Sequence, residues 1–441
     1  MAQFIIPNII TQHAEEASFL WLLRDRAVHA PHYSLKDLAK LDDRVEAHLD
    51  GLRIAGDAGW EICKGALEQK EAGEIFTASV LAFESRDEAR IKTVLDVGGT
   101  EPELSRGVVS ALGWLPYQVA EVHIKKLLAA DSSNLRRIGI AACAVHRQNP
   151  GQPLIDAISD NDLLLRARAL KAVGELGRLD LLPCLKSNLE GGYLEKEDAG
   201  GVLEQVCQFS AAWSAALLGD TSAIPVLKNI VTSIRPPHTD PLPQGKRVQS
   251  EEALKLILRR MDLSSALDWK KGLAQEPGSI RLSIIGAGVI GDPVLIPWLI
   301  GQMRVPPLAR VAGESFTMIT GVDIAYEDLE GEQPEGFVAG PTENPGDEDV
   351  EMDPDEDLPW PNHELIIGWW NKNKGKFKNG TRYLLGQPIT TEHLMQILRT
   401  GRQRQRAAAA IESSILKPGQ PLFEVRAPGF RQQQLLGLKV K

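Results

Sequence analysis

A short motif of glycine, polar turn and proline recurs along this chain and restricts its fold more than any other feature. Residues 217–227 (Leu-Leu-Gly-Asp-Thr-Ser-Ala-Ile-Pro-Val-Leu) return 72 positions later as residues 289–299, with weaker copies at 175–185 and around 152–154. The same slot of the four copies holds a proline: Pro153, Pro183, Pro225 and Pro297. A period of about 30 to 40 residues built this way is typical of a helical-repeat solenoid.

Each copy of the motif predicts two short helices joined by a tight turn. Gly177, Gly219 and Gly291 fit the end of the first helix, where a left-handed backbone favours glycine. Asp220 and Asp292 fit the turn or helix N-cap that follows. Each proline fits the first turn of the second helix, where its missing N–H is not needed. One hairpin cannot bury its apolar face alone, so we expect several to stack on a shared core.

This pattern resembles the HEAT-like repeats first described in phycobilisome lyases, over roughly residues 76–320. The resemblance implies an all-α fold, an α-α superhelix of stacked hairpins. Repeat units are expected near residues 101–128, 134–158, 163–189, 199–231 and 280–303, with a degenerate unit at 251–273.

The N-terminal block also predicts helices, over 13–21, 38–52 and 59–69. In the second of these, the apolar stripe follows helical spacing: Leu38, Leu41, Val45, Leu49 and Leu52. We expect this block to cap the array, because the last repeat of a solenoid must have its apolar face covered. The predicted domains are therefore a helical cap (1–75), a repeat array (76–322), an acidic linker (323–361) and a basic C-terminal segment (362–441).

Several short pieces resemble a family of uncharacterised bacterial HEAT-repeat proteins, over nearly the whole length. They are residues 13–21 (His-x-Glu-Glu-x-x-Phe-Leu-Trp), 41–52, 319–321 (Ile-Thr-Gly), 358–361 (Leu-Pro-Trp-Pro), 369–370 (Trp-Trp) and 383–388 (Tyr-Leu-Leu-Gly-Gln-Pro). Members of that family often occur with type VI secretion genes in Gram-negative bacteria. The resemblance implies a secretion context, but it carries no functional residues because no activity is established for the family.

Charge is divided sharply along the C-terminal third. Residues 323–357 contain 15 Asp or Glu and no Lys or Arg, which predicts an exposed, partly disordered linker. From residue 362 onward there are 14 Lys or Arg against 4 Asp or Glu. This basic part includes a predicted helix over 399–411, and we expect it to pack back on the array as a small domain. The candidate docking or partner contacts are Trp369, Trp370, Arg402, Arg404 and Arg406.

Composition excludes several classes of function. The formal net charge of −10 argues against general nucleic-acid binding, although the basic, aromatic tail keeps that alternative open. No apolar run reaches the roughly 20 residues that span a bilayer, and no signal peptide precedes the first helix. The four cysteines lack paired spacing and are expected to be buried free thiols, which fits a cytoplasmic protein: Cys63, Cys143, Cys184 and Cys207.

Two patterns resemble cofactor or metal sites. Residues 286–291 match the dinucleotide fingerprint Gly-x-Gly-x-x-Gly, with Glu314 as a possible ribose ligand, but no strand–helix alternation surrounds them, and the repeat interpretation is favoured. Ligand-like pairs are His13 with Glu15 and Glu16, His48 with Asp50, and His363 with Glu364. The repeats carry no His-Glu pairs of the kind that hold iron in HEAT-like hydroxylases. Residues 347–357 lack the glycine and terminal glutamate of a calcium loop. We therefore predict no catalytic residue, cofactor or metal.

The sequence thus predicts a non-enzymatic scaffold that binds a protein partner, as a type VI secretion adaptor or chaperone for a secretion component or effector. An immunity protein that blocks a toxin is the main alternative. A lyase-like repeat enzyme and a nucleic-acid binder are further alternatives.

Overall fold

Helices dominate the computed structural model, which describes residues 6–189, 199–233, 244–276, 278–340 and 352–439. Within these residues there are 22 α-helices and one two-stranded antiparallel sheet, so the predicted all-α class is confirmed. The chain divides into two compact units. The first unit is Met1–Ala223 with Leu398–Lys441, and the second is Ile224–Ile397.

The first unit begins with twelve helices. They are α1 (Pro7–Ala27), α2 (Leu35–Ala55), α3 (Asp57–Ala66), α4 (Ala72–Ser85), α5 (Glu88–Gly98), α6 (Pro102–Trp114), α7 (Tyr117–Leu128), α8 (Ser133–His146), α9 (Gln152–Ala157), α10 (Leu163–Glu175), α11 (Leu182–Ser187) and α12 (Ala199–Leu217).

The second unit follows with α13 (Ile224–Ser233), α14 (Gln244–Arg260), α15 (Leu263–Gln275), α16 (Ile280–Ile290), α17 (Ile296–Gln302), α18 (Pro306–Thr320), α19 (His363–Asn373), β1 (Tyr383–Leu384), β2 (Gln387–Pro388) and α20 (Thr391–Thr400), within which it ends. In the sheet, Tyr383 pairs with Pro388 and Leu384 with Gln387. The chain then returns to the first unit with α21 (Gln403–Leu416) and α22 (Gly429–Leu435).

Alternate helices pack side by side within each unit. In the first unit each of α1, α4, α6, α8, α10 and α12 contacts the next in that order. In the second unit α14, α16 and α18 do the same. There α15 packs on α16, and α17 packs on α18. The first helices of successive predicted repeats are therefore neighbours inside each unit, and their small residues allow close packing: a Cβ atom on Gly288 of α16 would lie 3.0 Å from Ser315 Cα of α18.

The predicted register of the repeat motif is confirmed. Gly177, Gly219 and Gly291 have positive φ angles of 69°, 108° and 74°, as left-handed helix ends require. The four prolines each occupy the second residue of a helix: Pro153 in α9, Pro183 in α11, Pro225 in α13 and Pro297 in α17. The dinucleotide alternative is wrong, because the residues before Gly291 form helix α16 rather than a strand and a phosphate loop.

The predicted N-terminal cap shares its core with the first repeats. All five residues of the predicted stripe on α2 are buried. One apolar cluster runs from Ile10 of α1 to Cys143 of α8. The predicted boundary after residue 75 falls inside α4, which packs on both α1 and α6. Apolar packing therefore continues across that boundary without a break.

The C-terminal third differs from prediction in two respects. The single basic helix expected over 399–411 is wrong, because the chain is extended at Arg402 (φ −79°, ψ 162°), between α20 and α21. Residues 362–397 belong to the second unit and later residues to the first, so they do not form one separate small domain.

The acidic stretch lies partly outside the described residues, which omit 341–351. For the part that is described, the prediction of exposure is wrong at Asp355, which is only 4% exposed. Arg281 of α16 donates two hydrogen bonds to the Asp355 carboxylate, and they compensate for the cost of burying its charge.

Candidate protein-binding groove

The chain after α19 is fixed to the C-terminal end of helix α16. Tyr383 N–H donates to the carbonyl oxygen of Gly291 at 2.9 Å. The Asp292 carboxylate accepts from Gly380 N–H at 3.0 Å and from Val294 N–H at 3.0 Å. A Cβ atom on Gly291 would lie 2.2 Å from Tyr383 O. Gly291 is therefore required twice, for its left-handed backbone and for this close approach.

Helix α19 is fixed by its cap and by its apolar face. The Asn362 side chain accepts from the N–H groups of Glu364 and Leu365 at 3.1 and 3.2 Å, which satisfies the free donors of the first turn. Ile366 is fully buried in the core of the second unit. Trp369 packs edge-to-face on Phe316 of α18, with ring centroids 5.6 Å apart. One face of α19 is thus part of the core.

The other face of α19 lines an open groove of about 740 Å³. Residues of α17 and of the turn before it also line the groove, as do Lys374, Phe377 and Asn379. The apolar lining is Pro293, Val294, Pro297, Ile300, Ile367, Trp370 and Phe377. The rings of Trp370 and Phe377 are tilted against each other at 5.5 Å, and they form the aromatic part of the wall.

Positive charge surrounds this apolar lining. Arg304 and Lys374 line the groove, together with Asn371 and Asn379. Glu364 lies 3.9 Å from Arg304, and their side chains are 70% and 60% exposed, so the two are only loosely paired. Arg304 and Lys374 therefore offer two cations to a ligand that carries carboxylates.

The lining residues can bind a ligand through apolar and cationic contacts. The volume falls in the range of about 300–1,000 Å³ that is usual for ligand sites. Among the described residues that line it there is no Ser, Cys, His, Asp or Glu, so the groove has no nucleophile paired with a general base. An apolar wall with cationic side chains at its edge can hold an amphipathic, acidic segment of another chain.

The sequence predicts Trp369 and Trp370 as contact residues together, but their side chains lie in different environments. Trp369 packs on Phe316 in the core, whereas Trp370 lines the groove. The three predicted arginines belong to the other compact unit. Arg402 and Arg404 donate to the carbonyl oxygens of His32 and His29, at 3.2 and 2.9 Å.

Arg406 is fully buried, which the sequence did not indicate. Its Nε donates to Leu398 O at 2.8 Å, and its two Nη atoms donate to the side-chain oxygens of Gln403 and Gln432. Burial lowers the pKa of Arg406 to about 10. This arginine serves docking within the chain and is not accessible to a partner.

The histidines contact partners that their spacing in the sequence only partly indicated. His13 and His48 meet across α1 and α2, with their Nδ1 atoms 3.1 Å apart. Burial, reinforced by the nearby charge of His13, lowers the pKa of His48. His363 Nε2 lies 3.0 Å from Glu364 Oε1 on the surface. Within the described residues, no three or more His, Cys, Asp or Glu side chains gather as a metal site would require.

Three of the four cysteines are buried as expected, and Cys184 is half-buried. Burial raises the pKa of Cys63 and Cys143 to about 12 and that of Cys207 to about 11. These thiols stay neutral near pH 7 and are poor nucleophiles or metal ligands.

The part of the chain that is described contains no helix long and apolar enough to cross a membrane. No protein-family model matches the sequence, and no curated protein or solved structure matches it either. The resemblances to HEAT-like repeats and to the bacterial family therefore remain predictions.

Proposed function

We propose that this protein is a HEAT-like α-solenoid that acts as a non-enzymatic scaffold for protein binding. Two observations support a solenoid. Alternate helices pack in sequence order within each unit, and the glycine and proline positions of the motif recur at equivalent turns. Stacked helical hairpins offer extended surfaces for partners, and they need no cofactor to do so.

The observation that carries this proposal is the composition of the groove between α17 and α19. Its wall is apolar and aromatic, its edge carries Arg304 and Lys374, and no described lining residue is acidic. Charge complementarity selects the occupant, which is an amphipathic segment of a partner protein with carboxylates beside its apolar side chains.

The cellular role follows from the family resemblance. The proposed scaffold works in the cytoplasm as a type VI secretion adaptor or chaperone, and its partner is a secretion component or an effector. Binding and blocking a toxin, as an immunity protein does, uses the same groove and is the second candidate. A nucleic-acid role gains less support, because Arg406 is buried and Trp369 packs in the core. A lyase-like activity has no supporting group in the groove.

Site-specific photocrosslinking in the native cell tests this function. A benzophenone amino acid replaces Asn371, which lines the groove, or Lys271, an exposed residue of α15 in the same unit. We expect a defined adduct with one partner protein from position 371 and none from position 271. Mass spectrometry of the adduct separates a secretion component from a toxin.

A charge-reversed variant makes the test specific for the groove. Arg304→Glu with Lys374→Glu should reduce the adduct at position 371 by about tenfold, because both cations that favour an acidic partner are gone. Equal adducts from positions 371 and 271, or no adduct from either, would contradict the proposal.

A further inference from the structure

A short acidic loop, residues 352–358, lies on helices α16 and α18 of the second unit. Arg281 of α16 donates two hydrogen bonds to the carboxylate of Asp355, both at 2.7 Å. Arg310 of α18 donates to the backbone oxygen of Asp355 at 3.0 Å and forms an ion pair with Asp353. Arginines of α16 and α18 thus bind two carboxylates that are two positions apart in the sequence.

The contact is shielded from water, which strengthens each charged hydrogen bond. The side chains of Asp355 and Arg310 are 5% and 9% exposed. The Arg310 guanidinium also lies over the ring of Trp360, 4.5 Å from its centroid. The loop shapes itself for this contact, since Asp355 N–H donates to the Asp353 carboxylate at 2.9 Å.

The two ends of the acidic loop are held by different forces. At its C-terminal end, Leu358 is buried, and the following residues join a backbone ladder in which Gly331 N–H donates to Trp360 O at 2.8 Å. At its N-terminal end, the arginines provide the contacts that hold Asp353 and Asp355. Glu251 and Glu314 also attract Arg281, so that arginine keeps opposite charge nearby if Asp355 leaves. The charged end can therefore detach while the packed end stays in place.

We propose that the Arg281–Arg310 face is a recognition site for acidic segments that form a turn with carboxylates two positions apart, and that the acidic loop occupies it as a built-in ligand. A partner segment of the same chemistry displaces the loop. This surface is distinct from the groove. The proposal made for it can therefore be right or wrong independently of the function proposed above.

Tethering gives the acidic loop a large advantage over a free ligand. A short flexible connection corresponds to an effective concentration in the millimolar range, so a free peptide must compete against it. Removing the two carboxylates removes that competition and should raise the apparent affinity for a free acidic peptide by about tenfold or more.

The probe is a labelled synthetic peptide that copies residues 352–357 (Met-Asp-Pro-Asp-Glu-Asp), followed by fluorescence anisotropy. Asp353→Asn with Asp355→Asn should bind it at least about tenfold more tightly than the unaltered protein does. The control Glu335→Gln with Glu356→Gln removes two exposed charges of the same unit and should bind like the unaltered protein. Adding Arg310→Gln to the first variant should abolish the gain. A peptide with Asn at both matched positions should not bind.

Equal binding by the unaltered protein, the double variant and the control would overturn the proposal, as would equal binding of the Asn peptide. If circular dichroism shows that the double variant is unfolded, the unaltered protein decides the question. Excess acidic peptide, at about 5 mM to exceed the effective concentration of the tether, should then speed hydrogen exchange at residues 353–357, and the Asn peptide should not. No change with the acidic peptide would equally overturn it.

Discussion

The two halves of the C-terminal segment are held by different forces. Residues 363–388, in the second unit, are held by apolar packing, through the buried Ile366 and the contact of Trp369 with Phe316. Residues 403–436, in the first unit, add a network of buried polar groups, including Arg406 and Gln432, to their apolar contacts. Net charge along the chain therefore does not reveal which force holds a given stretch, because the first half carries the run of lysines and yet relies on its aromatic residues.

Buried polar groups in this half of the C-terminal segment have charged or hydrogen-bonding partners. Glu424 pairs with Arg147 at 3.0 Å and with Arg426 at 3.2 Å. Burial alone would raise the pKa of Glu424, but Arg426 and Arg147 outweigh burial and lower it to about 2. Gln432 is fully buried, and its amide donates to Val425 O at 2.9 Å. Such a network depends on every member, since an orphaned buried polar group is costly.

Both halves nevertheless dock at the same feature of the predicted repeat motif, the glycine that follows its first helix. A Cβ atom on Gly177 would lie 2.7 Å from Gly419 O, and Leu422 N–H donates to Glu175 O at 2.9 Å. In the second unit, Gly291 meets Tyr383 in a similar way. The left-handed turn exposes backbone groups, and an extended segment satisfies them.

The largest effect is expected at Arg406. Replacing it with Met leaves the oxygens of Leu398, Gln403 and Gln432 without this donor. Each unsatisfied buried acceptor costs about 1–3 kcal/mol, so we expect a loss of unfolding free energy on the order of 3–5 kcal/mol. Hydrogen exchange should rise over residues 403–436 and not over 363–388. Arg404→Met is the control, because its hydrogen bond to His29 O is exposed, and it should change stability by less than about 0.5 kcal/mol. An equal loss in both variants would show that charge, not the buried network, holds this half.

The converse variant is Trp369→Ala with Trp370→Ala. Loss of two half-buried aromatic side chains should cost about 2–4 kcal/mol and speed exchange over 363–388, while residues 403–436 stay protected. Hydrogen exchange followed by mass spectrometry measures both regions at once. Opening of 403–436 in this variant would break the comparison, because the two halves would then depend on the same packing.

Acid should affect the two compact units differently. Burial, with a contribution from Arg431, lowers the pKa of His146 in the first unit to about 4, and one ring nitrogen bonds Leu112 O at 2.8 Å. Unfolded histidine titrates near 6.5. The unfolded state therefore binds the proton first, and the stability from neutral His146 is complete above about pH 6.5 and is lost as the pH falls towards 4.

Urea unfolding at pH 7.5 and pH 5, read by exchange in each unit, should show the first unit losing stability over this window, and His146→Asn should reduce that loss. Asp42 acts in the opposite direction, because burial raises its pKa. An unchanged pH dependence in His146→Asn would assign the acid sensitivity to another group.

The smallest effect concerns a buried cation without a hydrogen-bonded network. Lys270 is 4% exposed and lies on the ring of Trp298, and no ion pair forms at it within the described residues. Burial lowers the pKa of Lys270 to about 7. We expect Lys270→Met to stabilise the second unit by about 1 kcal/mol.

The gain from Lys270→Met should be largest below about pH 7 and should shrink as the pH rises towards 10.4, where unfolded lysine also loses its proton. Thermal unfolding at pH 6.5 and 9.5 measures it. If Lys270→Met melts at a lower temperature than the unaltered protein at pH 6.5, the ammonium stacked on Trp298 is stabilising. Lys270 would then resemble Arg406 instead of contrasting with it.

How far the sequence predicts this structure depends on the range of each interaction. The repeat register was predictable because Gly291 and Pro297 restrict their own backbone. The groove was not, since Pro297 and Trp370 meet only after the chain between them has folded. The acidic loop was misjudged for the same reason, because Asp355 finds Arg281 74 positions away in the sequence. A prediction from local composition cannot include partners that are distant in the sequence, such as Arg281 for Asp355.

The first unit is discontinuous in sequence, and this has a consequence for synthesis on the ribosome. Asp42 of α2 is bonded by Arg24 at 2.6 Å and by the N–H of Gly429, 387 positions later. Domains generally fold as they emerge, N-terminal parts first. Here helices α1 and α2 must wait for a residue that is made 387 positions after Asp42, while the contiguous second unit emerges complete in the interval. A nascent chain stopped at residue 397 leaves the Asp42 carboxylate without its Gly429 donor, so synthesis must pass residue 429 before this contact can form.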